Sequence, residues 1–75
     1  MKIEVAGHFL EVAENAKRCR ATVLSIQNLW TFVNFERHED AQRFTQWCDN
    51  SGLKTMGINT QRPFVKFEVS VEHKL

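Results

Sequence analysis

The sequence predicts an α+β domain in which two helices cover one face of a single antiparallel sheet. Three observations carry that prediction. Val65, Phe67, Val69 and Val71 alternate with Lys66, Glu68, Ser70 and Glu72, which is a strand with one buried and one wet face. Phe9, Val12, Ala13, Ala16 and Cys19 recur at helical spacing, as do Ala41, Phe44, Trp47 and Cys48. Between those stripes, residues 20–35 are rich in β-branched and aromatic side chains and are split by a polar pair, Gln27-Asn28, as a hairpin would be.

Each element follows in order. Residues 2–6 alternate, Ile3 and Val5 against Lys2 and Glu4, and predict a short strand ended by Gly7. The stripe from Phe9 to Cys19 gives an amphipathic helix of about twelve residues, with Glu11, Glu14, Asn15, Lys17 and Arg18 on its polar side. Its acids come early and its bases late, as the helix dipole favours. A long first hairpin through residues 9–12 is the competing reading. Residues 20–26 and 29–35 form the central hairpin, although Gln27-Asn28 lacks the Gly that favours tight turns.

Across a two-residue turn Ile26 pairs with Leu29. That register sets Thr22, Leu24, Ile26, Leu29, Thr31, Val33 and Phe35 on one face and Ala21, Val23, Ser25, Trp30, Phe32 and Asn34 on the other. Residues 39–50 form the second helix. Glu39 and Asp40 lie in its first turn, Ser51-Gly52 stops it with Gly52 in a left-handed cap, and Leu53 folds back onto its end. Residues 54–59 are a weak strand, residues 60–63 a turn holding Arg62 and Pro63, residues 64–71 the last strand and residues 72–75 a frayed tail. The order β-α-β-β-α-β-β is the split-βαβ, ferredoxin-like plan.

A chain of 75 residues makes one domain. Such a chain buries only about 60–65% of its unfolded surface, too little to enclose a deep active site. Six Phe and two Trp place it outside the disordered class. A formal net charge of +1, with acids and bases interspersed, argues against binding by bulk charge, so any nucleic-acid contact needs local clustering or stacking. The start is charged and no secretory apolar run follows it. No stretch approaches the roughly 20 apolar residues of a membrane span. Cys19 and Cys48 both fall on apolar helix stripes, so two free thiols in a reducing cytoplasm are expected, with a disulfide between packed helices as the alternative.

With helices on one side, the other side of the sheet is open. There the hairpin presents Val23, Trp30, Phe32 and Asn34, the last strand Lys66, Glu68 and Ser70, and the first strand Lys2 and Glu4. Two large aromatics amid polar neighbours make a patch of a few hundred Å² at most, and such patches mark interaction sites. Trp30, Phe32, Asn34 and Val23, edged by Lys66 and Arg62, are the expected binding residues. The competing possibility is that the two rings are core.

Residues 28–44 resemble the third strand and second helix of an RNA-recognition motif. That family's third strand runs basic, Gly, aromatic, small, aromatic, Val, any, aromatic. Here Asn28, Leu29, Trp30, Thr31, Phe32, Val33, Asn34 and Phe35 match at Trp30, Phe32, Val33 and Phe35, and Glu39-Asp40-Ala41 is a family-like helix start. The basic residue, the Gly and the small residue are missing, and Glu4 stands where the family's first-strand aromatic would be. The resemblance implies stacking of single-stranded RNA or DNA on Trp30 and Phe32.

Other chemistry finds little footing. His8, His38, His73, Cys19 and Cys48 lack metal-ligand spacing. Gly7, Gly52 and Gly57 are too far apart to cradle phosphate. Cysteines on apolar stripes pack more often than they react. Glu11, Glu14, Glu39 and Asp40 suit helix N-terminal turns and solvated faces, and Lys17, Arg18 and Arg20 suit a helix C-terminus. The expectation is a cytoplasmic, non-enzymatic binding module, without metal or cofactor, that acts on a protein partner or as a homodimer. A second copy could pair along the open edge at residues 54–59. Small regulators and phage- or plasmid-encoded inhibitors, anti-CRISPR proteins among them, share this size, which is an analogy of size alone. A single-stranded nucleic-acid binder is the alternative.

Overall fold

A computed structural model gives the architecture for residues 2–27, 30–63 and 65–72, with the side chains of residues 2–9 and of Gln27 outside the description. The order is α1 (Lys2–Arg18), β1 (Val23–Gln27), β2 (Trp30–Phe35), α2 (His38–Asn50), β3 (Thr55–Asn59) and β4 (Phe67–Glu72). The four strands form one antiparallel sheet in the order β1-β2-β4-β3. The α+β class and the antiparallel sheet with two helices on one face are as expected.

The first strand is not. Residues 2–6 begin α1, so the chain runs α-β-β-α-β-β and lacks the strand before the first helix that the split-βαβ plan requires. The physical reason is in the spacing. Val5 and Phe9 continue the stripe of Val12 and Ala16 backward at i, i+4, i+7 and i+11, and a helix satisfies that period over four turns. The alternation of residues 2–6 is too short to outweigh it. Gly7 is an interior helix residue, tolerated at a cost of about 1 kcal/mol.

Both helices end in the same device. Ala21 N–H donates to Ala16 O at 2.9 Å and Arg20 N–H to Lys17 O at 3.0 Å. Leu53 N–H donates to Cys48 O at 2.8 Å and Gly52 N–H to Asp49 O at 3.2 Å. These are paired Schellman bonds, and each needs one left-handed residue. Gly52 supplies it at φ 74°, as the sequence predicts, and Arg20 supplies it at φ 66°. Residue 20 therefore caps α1 instead of opening a strand, and β1 starts at Val23.

β1 and β2 pair from Val23↔Asn34 to Gln27↔Trp30. Ile26 faces Thr31 rather than the expected Leu29, and residues 28 and 29 lie outside the described residues. The shift is by two, and the division of side chains between faces is unchanged. On the helix side Thr31, Val33, Phe35, Val69 and Val71 are buried with Val12 and Ala16 of α1 and Ala41, Phe44 and Cys48 of α2. Phe35 and Phe44 meet at 5.5 Å between ring centroids, and Trp47 stacks on Phe44 at 5.9 Å. Each fully buried Val or Phe contributes about 1.5–3 kcal/mol, so this small cluster is the main source of stability. Asp40 is buried at the start of α2 and accepts from Arg43 Nη2 at 2.8 Å.

The last strand starts later than expected, at Phe67, and runs on through Glu72, which belongs to the sheet and not to a tail. Residue 64 lies outside the described residues. No helix among the described residues is long and apolar enough to cross a membrane.

Candidate functional site

The helix-free face is built from three cross-strand rows. β1, β2 and β4 set Gln27, Trp30 and Glu72 in the first row, Ser25, Phe32 and Ser70 in the second, and Val23, Asn34 and Glu68 in the third. The alternation of β2 makes this unavoidable. Burying Thr31, Val33 and Phe35 against the helices turns Trp30, Phe32 and Asn34 the other way. Trp30 and Phe32 are half-buried, and Val23 is 55% exposed. Phe32 has a serine on each side, so nothing tall flanks its ring across the strands.

Four of the six expected residues, Val23, Trp30, Phe32 and Asn34, thus share this surface. Lys66 lies just before β4, exposed, with its Nζ 3.2 Å from Glu36 Oε2. Arg62 lies in the β3–β4 connection with its Nη1 3.9 Å from Glu68 Oε1. Lys2 and Glu4, expected on this face, belong to α1 and not to the sheet.

The electrostatics differ from the expected mixed rim. Glu68 sits on the open face but is only 4% exposed, so this side of β4 is not uniformly wet. Glu72 faces Trp30 across the strands, and Lys54 Nζ approaches it at 3.7 Å. The acidic groups therefore stand within the face, and Lys54, Arg62 and Lys66 stand around it, each within ion-pair distance of a carboxylate. Among the described residues, Asn34 Oδ1, beside Glu68, is buried without a hydrogen-bond partner. An unpaired buried carbonyl of that kind costs about 1–3 kcal/mol. Glu72 was the residue hardest to foresee. Its place opposite Trp30 depends on the pairing of β2 with β4, which alternation within a single strand does not encode.

The thiols are held protonated. Burial, and then the negative charges of Asp49 and Cys19, push the Cys48 thiol up to about 12. Burial also raises Cys19, with Arg43 opposing the rise. Neither thiol is set up as a thiolate nucleophile at neutral pH. Among the described residues, no three His, Cys, Asp or Glu side chains gather to hold a metal ion. No family model, curated protein or solved structure matches the chain.

Proposed function

We propose that the protein is a non-enzymatic binding module whose helix-free sheet face docks on a protein partner. The observation that carries this reading is the adjacency of Trp30 and Phe32 on β2, partly exposed, with Val23 exposed beside them and Glu72 across the strands. An aromatic anchor with small polar neighbours and an acid beside it fits a partner that brings apolar and basic side chains. The protein acts by occupancy, as a small regulator or inhibitor would, blocking or recruiting what it covers. Free Cys19 and Cys48 suit a reducing, cytoplasmic setting, and their raised pKa values suit packing more than catalysis.

Single-stranded RNA or DNA is the second reading, and the charge on the face weighs against it. Stacking on two rings supplies about 1–3 kcal/mol per base. Phosphates laid along β2 would meet Glu72, while Lys54, Arg62 and Lys66 are already opposite carboxylates.

The test is affinity capture from host lysate with wild type and Trp30→Ala, each with and without nuclease. The expected result is a protein that survives nuclease and is lost by about 30-fold or more in affinity on Trp30→Ala, the loss of a 2 kcal/mol anchor. Nuclease-sensitive material whose binding falls steeply with salt would put the nucleic-acid reading first.

A further inference from the structure

Among the described residues, the order β1-β2-β4-β3 leaves β1 and β3 each with one unpaired side, and the two edges are unlike. β3 is interrupted by a register shift between Thr55 and Ile58, with Gly57 at φ 78°, and is led in by Lys54. Such a bulge twists an edge away from further pairing. β1, with the sequence Val-Leu-Ser-Ile-Gln, pairs with β2 without any shift and carries no charge, proline or glycine. Every second residue of an antiparallel strand turns its N–H and C=O outward, so β1 offers an unblocked ladder. Among the described residues, β1 has no charge, proline or bulge to guard its edge.

Apolar side chains surround that edge. Val23 and Ile26 are 55% and 51% exposed, one on each face, and Leu10 on α1 is 64% exposed. A groove between α1 and β1 is lined by Ala13, Ala16, Ala21, Val23 and Leu24 together with Lys17 and Thr22, and Leu10 lies one helical turn from Ala13. The edge beside residues 54–59, which the sequence suggested for self-pairing, has none of this continuity.

We infer that β1 is the seam of a homodimer, with the second copy's β1 adding antiparallel across a two-fold axis at Ser25. The strand is its own complement in that register. Ser25 falls opposite the second copy's Ser25, Leu24 opposite the second copy's Ile26, and Val23 opposite the second copy's Gln27. The Leu24–Ile26 pair occurs twice on the helix side, and no like charges meet. The axis is perpendicular to the sheet, so both helix layers lie on one side and both Trp30–Phe32 patches on the other.

The β3 bulge prevents head-to-tail growth from β1 onto β3, so the assembly closes at two copies. A seam of five residues and its flanks is small, so the dimer is expected to be weak and reversible. This inference does not rest on the binding role of the Trp30–Phe32 face, which the seam leaves clear.

The experiment is sedimentation equilibrium at low salt from about 10 µM to about 1 mM, the span over which an interface of this size titrates. Wild type, Ser25→Lys, Ser25→Glu and an equimolar mixture of the two variants are compared. Ser25 is exposed, so either charge leaves the monomer folded, which circular dichroism checks. The expected wild-type mass climbs from 8.8 kDa toward twice that value. Each variant alone weakens the dimer about 5-fold through like charges across the axis, and the mixture regains it.

A wild type that stays monomeric over the whole range overturns the inference. So does a dimer that both variants leave unchanged. Should the variants unfold, hydrogen exchange on wild type decides: protection of β1 amides must rise with protein concentration, and flat protection overturns the seam. Protection of β1 that appears only with a different captured protein, wild type remaining monomeric, assigns the edge to that partner and also overturns it.

Discussion

Arg20 and Gly52 occupy the same place in the same helix-ending motif, and the comparison isolates what one residue contributes. Both have positive φ, 66° and 74°. A side chain with a Cβ in that region costs about 1–2 kcal/mol, and glycine has no such penalty. Open space surrounds the Cβ position of Gly52, so the penalty of adding one there is conformational and not a clash. Arg20→Gly should therefore raise the stability of the fold by about 1 kcal/mol and Gly52→Ala should lower it by a similar amount. Urea unfolding monitored by circular dichroism measures both. A loss of stability in Arg20→Gly would show that the arginine side chain holds a contact worth more than its backbone strain. The Gly52 cap was legible in the sequence because Ser-Gly is a strong stop. The Arg20 cap was not, because nothing in Lys-Arg-Cys-Arg-Ala announces a left-handed residue, and a β-branched segment begins directly after it.

At the scale of elements, α2, the central hairpin and β4 were legible because each carries a long, single-period pattern. α1 was legible only in its second half. Its first half offers two periods at once, alternation through Ile3 and Val5 and helical spacing through Val5, Phe9 and Val12. Gly7 tips a local reading toward a strand end, while cooperativity tips the chain toward one longer helix. A helix already nucleated from Val12 to Arg18 adds residues with little further cost, whereas a five-residue strand needs a paired neighbour. The consequence is testable at Gly7. Inside a helix, Gly7→Ala should stabilise the fold by about 0.5–1 kcal/mol and raise far-ultraviolet helix content. If residue 7 closed a strand with a turn, the same substitution would destabilise. Thermal melts of the two proteins separate the outcomes by sign.

At the scale of the whole molecule, the strand order follows from how completely each strand is covered. β2 and β4 present the fully buried Thr31, Val33, Phe35, Val69 and Val71 and take the centre, while β1 and the bulged β3 take the edges. Face membership is a local property of alternation, so the open face around Trp30 and Phe32 was readable in advance. Adjacency is a property of the folded sheet, so the Trp30–Glu72 and Asn34–Glu68 neighbours were not. The same division predicts two classes of aromatic. Phe44 sits on the helix side, buried between Phe35 and Trp47, and Phe44→Ala should cost about 3–5 kcal/mol. That is most of the stability a domain of this size commands, so the variant should be largely unfolded at 25 °C. Trp30→Ala and Phe32→Ala remove rings that are only partly buried and should each cost less than about 1.5 kcal/mol while leaving the unfolding transition cooperative. Parallel urea titrations of the three variants decide the matter. A Trp30→Ala as unstable as Phe44→Ala would make the aromatic face a second core, and the binding role proposed for it would lose its foundation. A fold that tolerates the loss of either open ring keeps those rings for something other than stability, and contact with a partner is what their position allows.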